Sequence, residues 1–338
     1  MTVTGSGKLA RVGAITLAFA AAVAAAPAKA DDYPSQPINI VVGFSAGGGT
    51  DLYARNLSAT LPKYLNNQPV VVINKTGGAQ IPALKMLKSA KPDGYSTMLV
   101  SAGSAIIATG LRDRGVDILK DFELVAQIGV NNVMLAASKA SGFKTPDELI
   151  AGIKKAHAAG HKLRWGNAGR ASITSLAVIA WLNKNGVYEM TQDVPFKGGS
   201  KVRVALIGNN VDFAGLGLNN AAGGYDKKLN VIGTFSDRRD PAQPQFPTLG
   251  DLKTPYVPME TPLVITVPKG TPKAIIAKLE GAIKKSTEDP EFKERAQKSG
   301  QAVVYRGTDE VNAFVRKLKK EWADTIAVVR KRMAEAKN

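Results

Sequence analysis

Short runs of β-branched and aliphatic residues alternate along this chain with stretches in which apolar positions recur every three or four residues. A period near two marks strands and a period near 3.6 marks amphipathic helices. The pattern predicts strands at 38–42, 69–74 and 95–101, separated by helices at 50–65 and 81–90. A second set follows: strand 133–137, helix 145–158, strand 163–166, helix 172–184, a strand around Val194, helix 200–208, and strands 211–214 and 229–234. The chain then predicts strand 264–267 and helices at 272–287, 290–299 and 308–334. Repeated βα units imply an α/β protein with a mostly parallel sheet covered by helices. The junctions carry turn residues, among them Lys91-Pro92-Asp93-Gly94 and Lys269-Gly270-Thr271-Pro272.

The first 30 residues break this pattern. Lys8 and Arg11 precede the apolar stretch 12–26, and Ala28-Lys29-Ala30 then forms a small-residue cleavage pattern ahead of Asp31-Asp32. That arrangement is expected of a secretory signal peptide. The apolar stretch is shorter than the ~20 residues a bilayer-spanning helix needs. Cleavage after Ala30 leaves 31–338 as an exported, soluble chain and lowers the formal charge of +17 by three.

The whole chain has 338 residues, 45 Lys+Arg, 28 Asp+Glu, two His and no Cys, so disulfides, thiolate nucleophiles and zinc–cysteine sites are excluded. Such a positive excess raises the question of nucleic acid. No recognition motif is present, aromatics are sparse and the basic residues are dispersed, so no nucleic-acid partner is expected. The densest basic run, 316–337, falls on a helix whose apolar residues Val311, Val315, Leu318, Trp322, Ile326, Val329 and Met333 form one stripe. Its charges therefore occupy solvated faces, and the basicity biases the surface field toward anions.

Candidate chemistry lies in four loops that follow strands, three of which lead into predicted helices. The first is Gly43-Phe44-Ser45-Ala46-Gly47-Gly48-Gly49-Thr50-Asp51. Free N–H groups and the helix dipole favour an anion there, and the glycines permit close approach to the main chain. Thr50 or Asp51 is also placed to cap the helix. The loop lacks the Gly-Lys-Ser/Thr of a P-loop and the glycine spacing of a dinucleotide fingerprint. The others are 101–104 with Ser101 and Ser104, 166–174 with Asn167, Arg170, Ser172 and Thr174, and 196–200 with Phe196, Lys197, Gly198 and Gly199. Ligands of open α/β sheets sit beyond the carboxyl ends of strands. Four glycine- and hydroxyl-rich loops almost free of acids together suggest an anion pocket.

These stretches, with Tyr33-Pro34-Ser35-Gln36-Pro37-Ile38, Lys91-Pro92-Asp93-Gly94-Tyr95, Val194 to Gly199, Val211-Asp212, Pro244 to Thr248, Pro268 to Pro272 and Asp289-Pro290-Glu291, span nearly all of the chain beyond residue 30. In order and spacing the chain resembles the extracytoplasmic solute receptors of the tripartite tricarboxylate transporter family, also called Bug receptors. The resemblance implies a type II periplasmic-binding-protein fold, with two α/β lobes around a ligand cleft joined by crossing hinge strands. Lobe 1 would comprise 31–131 plus 256–338 and lobe 2 would comprise 132–255, with crossings near 132–137 and 262–267. It further implies a small carboxylate as ligand, membrane permease subunits as partners, a periplasmic location, a monomer, and neither cofactor nor metal. The family's first loop, matched by Phe44, Ser45, Ala46, Gly47, Gly48 and Thr50, holds a carboxylate through main-chain N–H groups and ordered water, and the other three loops complete the pocket.

Two departures bear on specificity. Relatives often carry an Asp-Asn pair after the strand matched by Val211-Asp212, whereas this chain reads Ala214-Gly215-Leu216-Gly217. The missing acid argues against an amino-acid ligand, and Leu216 flanked by Gly215 and Gly217 would leave room for an apolar body. Arg170 stands where relatives have small or amide residues, and it is either an exposed loop arginine or a bidentate carboxylate clamp. A second anchor there would favour a dicarboxylate with an alkyl or aromatic body. A periplasmic sensor feeding a signalling partner is the alternative reading. A secreted hydrolase fits less well, because His157 and His161 lie at the polar end of a helix without a zincin Glu, and no Gly-x-Ser-x-Gly elbow occurs. No catalytic residue is expected.

Overall fold

The computed structural model describes residues 1–2, 32–324, 326–327 and 329–330. The expected leader and Met333 fall outside the described residues, apart from Met1 and Thr2. Ten strands and nine helices are named here among the described residues. The first third runs β1 (Ile38–Val42), α1 (Gly49–Thr60), β2 (Val70–Asn74), α2 (Ile81–Lys88), β3 (Ser96–Ser101) and α3 (Ala102–Leu111). The long β4 (Phe122–Ser138) leads into α4 (Pro146–Ala158), β5 (Leu163–Asn167), α5 (Ile173–Lys184), β6 (Thr191–Pro195), α6 (Gly199–Ile207), β7 (Phe213–Gly217) and β8 (Leu229–Thr234). The chain returns through β9 (Glu260–Pro268), α7 (Lys273–Glu288), α8 (Pro290–Lys298), β10 (Ala302–Arg306) and α9 (Thr308–Glu321).

Local chemistry explains most of these elements. Thr145 accepts a hydrogen bond from Glu148 N and Glu148 accepts one from Thr145 N, a capping box that starts α4. Asp289 accepts from Glu291 N, and Pro290 begins α8. The stripe Val311, Val315, Leu318, Trp322, Ile326 and Val329 is buried as its spacing predicts, each large apolar side chain contributing about 1.5–3 kcal/mol of transfer free energy.

The sheet is mixed rather than mostly parallel. Pairings β1–β2, β1–β3, β5–β6 and β5–β7 are parallel, whereas β3–β9 and every pairing of β4 are antiparallel. The cause is β4, a strand of 17 residues. Its first part, Phe122 to Asn132, pairs with β9, and Gln127 to Val130 also pairs with β10. Its last part, Val133 to Ser138, pairs with β7 and β8. One strand thus belongs to the sheets of two α/β lobes. The sequence pattern marked only its final residues.

Two further elements departed from expectation. The stretch expected as a loop after Ser101 is α3, buried nearly all round from Ala102 to Ala108, so it shows no amphipathic stripe. The short β10 lies between two helices and was not distinguished from a connection.

Tyr53 ties α1 to the shared strand: its hydroxyl donates toward Val130 O at 2.9 Å and Ala302 O at 3.0 Å. Burial pushes the Tyr53 phenol well above its ordinary range, so it stays neutral and a donor. Tyr53→Phe is expected to lower the unfolding free energy by about 1 kcal/mol, read by urea denaturation. An unchanged midpoint would show that the two carbonyls need no partner there.

Candidate functional site

The amino termini of four helices meet in one place. Gly49 and Thr50 of α1, Ser104 of α3, Ile173 and Thr174 of α5 and Gly199 of α6 all line a single cavity of about 30 Å³. The first N–H groups of each helix have no intrahelical acceptor, and the aligned peptide dipoles place roughly half a positive charge there. Among the described residues, no Lys, Arg, Asp or Glu lines this cavity. The donors it offers are backbone N–H groups and neutral side chains.

The loops interlock across the cleft. Ser45 Oγ lies 2.7 Å from Ser200 Oγ, which also donates to Ala46 O at 3.0 Å. Ser104 Oγ accepts from Ile173 N at 3.2 Å, joining α3 to α5, and is bonded to Ser101 Oγ at 3.1 Å. Ser172 caps α5 by accepting from Ser175 N, and its hydroxyl is 2.9 Å from Thr174 Oγ1. Gly47 N donates to Asp51 Oδ2, and the same carboxylate is held by Arg55 Nε and Asn74 Nδ2, each at 2.8 Å. The Asp51 charge is therefore compensated beside the first helix start rather than opposing an anion there.

Of the residues expected from sequence, Phe44, Thr50, Ser101, Ser104, Ser172, Thr174 and Gly199 line the cavity. Ser45, Ala46, Gly48 and Gly198 form the contact between the first and fourth loops. Asn167 is fully buried, with Oδ1 accepting from Gly169 N and Nδ2 without a partner. Arg170, Phe196 and Lys197 line a separate outer cleft. There Arg170 Nε is 2.7 Å from Asp193 Oδ2, with a side chain 63% exposed. Gly215 packs under the first turn of α5, where a Cβ would come 2.4 Å from Thr174 O. Leu216 points the other way along β7, as alternation requires, and is buried in the core with Met134 and Val202. His157 and His161 are exposed. Among the described residues, no group of three or more His, Cys, Asp or Glu converges as a metal site would.

Asn131, Asn219, Asn220 and Arg203 were not anticipated. Asn131 and Asn220 line the cavity, and Asn131 Oδ1 and Asn219 Nδ2 are buried without partners. Gly217 and Gly49 admit these carboxamides: a Cβ on Gly217 would lie 2.4 Å from Asn131 Oδ1, and one on Gly49 would lie 2.6 Å from Asn219 Oδ1. Arg203, stacked 3.9 Å over the Tyr225 ring, donates from Nη1 to Asn220 Oδ1 at 3.2 Å. Burial pulls its pKa below the ordinary arginine value, yet a guanidinium remains charged, so a cation stands behind the Asn220 carboxamide. The available signal was Asn219-Asn220 immediately after the carboxyl end of β7, the place where α/β ligands sit.

Two α/β lobes that share a crossing strand and enclose a polar, helix-start-lined cavity define a binding-protein receptor of the periplasmic type. The structure of periplasmic binding protein BugD superposes with a TM-score of 0.78 at 26% identity, covering 86% of this chain and 97% of that one. MatC from Rhodopseudomonas palustris, solved with bound malate, gives 0.79 at 25% identity, covering 87% and 100%. In sequence, the "UPF0065 protein in gbd 5'region" of Cupriavidus necator is 30% identical over 313 residues, 92% of this chain and 93% of the relative. The family model described as "Tripartite tricarboxylate transporter family receptor" matches residues 53–330. The chain belongs to that family, whose members are solute-binding receptors and not enzymes.

Gly198 offers a test of the interlobe contact, because a Cβ there would lie 2.3 Å from Ser45 Oγ and 2.7 Å from Ser45 N. Gly198 is buried at this contact, and Gly198→Ala is expected to lower the unfolding free energy by about 0.5–1.5 kcal/mol for each interloop hydrogen bond it breaks. It should also part the loops and raise the radius of gyration in solution scattering. An identical scattering curve would count against this contact as the latch.

Proposed function

We propose that this receptor captures a small organic carboxylate in the inner cavity by lobe closure and hands it to a membrane permease of the tripartite tricarboxylate type. The convergence of four helix amino termini on a cavity without charged lining residues carries the reading. Such donors stabilise an anion without the desolvation that a buried cation would require. Malate bound to the similar MatC is a carboxylate of this kind. A cavity of about 30 Å³ holds little more than a water or two. A carboxylate therefore enters only when the lobes part, and contacts to both loops then favour reclosure.

On this reading the lobes comprise 31–131 plus 256–338 and 132–255, the leader is removed after Ala30, and the protein works in the periplasm as a monomer. The ligand-contacting set is the cavity lining together with Ser45, Gly48 and Gly198, joined by Asn131 and Asn220. A dicarboxylate with an alkyl or aromatic body is the favoured ligand; in support, no acidic residue lines the inner cavity among the described residues, and cations line the outer cleft.

Refolded, ligand-free protein should show thermal stabilisation and one-site calorimetric binding with carboxylates such as malate, adipate or terephthalate. Ligand at about 100 times its dissociation constant adds about 2.7 kcal/mol. Methyl esters of the same acids should be silent. Gly48→Asp, which gives the α1 terminus its own carboxylate, should weaken the best acid more than about tenfold, or about 1.4 kcal/mol. A response confined to sugars or amino acids would sink the carboxylate reading.

A further inference from the structure

An asparagine carboxamide can turn either end toward a neighbour, so what it offers a ligand depends on what holds its other end. Asn220 is held from two sides. Arg203 Nη1 donates to its Oδ1 at 3.2 Å, while its Nδ2 donates to Gly217 O at 2.9 Å and to Asn219 Oδ1 at 3.3 Å. A guanidinium has only donors and a backbone carbonyl only accepts, so neither contact survives if the carboxamide turns over. The same order passes to Asn219. Its Oδ1 is taken by Asn220, which leaves Nδ2 as the end without a protein partner. That Nδ2 lies against Gly49, where a Cβ would come within 2.7 Å of it, and Gly49 lines the inner cavity at the start of α1. Both asparagines are buried, where a donor left without an acceptor is costly.

At the far end of this chain stands a cation that no carboxylate neutralises. Among the described residues, Arg203 makes no ion pair, and its Nε is buried without a partner. The guanidinium carbon lies 3.9 Å from the centre of the Tyr225 ring, whose negative face attracts a cation without cancelling its charge. The charge therefore acts on the carboxamides in series, each hydrogen bond polarising the next.

We propose that Arg203 is a positioning residue for the ligand: it fixes and polarises the Asn220–Asn219 pair so that an N–H, not a carbonyl, meets an ionised carboxylate at the start of α1. The proposal rests on the carboxylate reading of the inner cavity and adds a residue that acts on the ligand only through others. The device favours charge. A neutral solute gains an ordinary hydrogen bond from such a donor, whereas an anion gains the field of the guanidinium as well. A cavity with no charged lining residue among those described thus draws on a full charge without exposing it.

The test is calorimetry with malate, adipate and terephthalate on Arg203→Met and Arg203→Lys, the first keeping most of the side-chain volume and the second keeping the charge. For whichever acid binds, Arg203→Met should weaken affinity about tenfold, whereas Arg203→Lys should lose less than about threefold. Asn219→Leu should weaken the same acid by a factor like that of Arg203→Met. Adding Arg203→Met to Asn219→Leu should then cost less than about twofold more, because the two act through one chain. Melting curves of every variant check that the fold is retained. If Arg203→Met binds as wild type does, or loses no more than Arg203→Lys, the guanidinium only fills space and the proposal fails. Losses that simply multiply in the double variant overturn it as well. Silence of the wild-type protein toward all three acids would instead overturn the carboxylate reading, and this one with it.

Discussion

The backbone hydrogen-bonding of β4 is the constraint on which the rest of this structure depends. Its 17 residues are paired with β9 and β10 at one end and with β7 and β8 at the other. A strand buried in two sheets cannot slip by one residue without turning its core-facing side chains to the opposite face in both. The register of β4 therefore sets the relation between the lobes, and with it the relation between the helix starts that face each other. Asn131 and Asn132 sit at the changeover, and Asn132 Nδ2 donates to the buried Asp240 at 2.6 Å. Burial raises the Asp240 carboxyl above its usual range, opposed by bonds from Ala242 N and Asn132. The polar changeover point is thus fastened by a side-chain contact as well as by the ladder.

What was legible in the sequence follows from which signals are local. The strand Ile38–Val42, the helix α4 and the apolar stripe from Val311 to Val329 depend on residues near one another in the chain, and each is found where the pattern puts it. The first part of β4 was not legible, because its burial comes from β9 and β10, more than a hundred residues downstream. Helix α3 was hidden for the opposite reason: buried on nearly all sides, it has no polar face to give a period. The site divides in the same way. Glycine- and hydroxyl-rich loops announced the helix starts, but the carboxamides of Asn131 and Asn219 enter only because Gly217 and Gly49 leave space for them in three dimensions. Arg203 was invisible as a site residue, since its role depends on lying against Asn220 and Tyr225.

The two recesses use positive potential in different ways. Inside, the charge is fractional and belongs to the backbone, so burying it costs less than burying a full cation. A full cation at that depth would need a partner of its own, and the Arg203 guanidinium is kept behind Asn220, stacked on an aromatic ring. At the outer edge, where water still reaches them, Arg112 and Lys197 are exposed and can stand unpaired at little cost. On the proposed function, neutral donors in the depth and full charges at the rim would let the field draw an anion toward the cleft from a distance. The selective contacts are then made by groups too rigid to collapse onto one another.

That arrangement also bears on release. A receptor that delivers its ligand needs closure to be favourable only while the ligand is present, and a ligand shifts the equilibrium by no more than its difference in affinity for the two states. The contact between the lobes includes neutral hydrogen bonds, Ser45 to Ser200, Ser200 to Ala46, Ile173 to Ser104 and Gln243 to Gly300. Each is worth about 0.5–1.5 kcal/mol net. A latch of that strength is easily opened, whereas one built from buried ion pairs would hold the lobes together with or without cargo. If the receptor closes on its ligand as proposed, hydroxyls and glycines rather than charged residues at this contact leave the difference between empty and loaded cleft to the ligand.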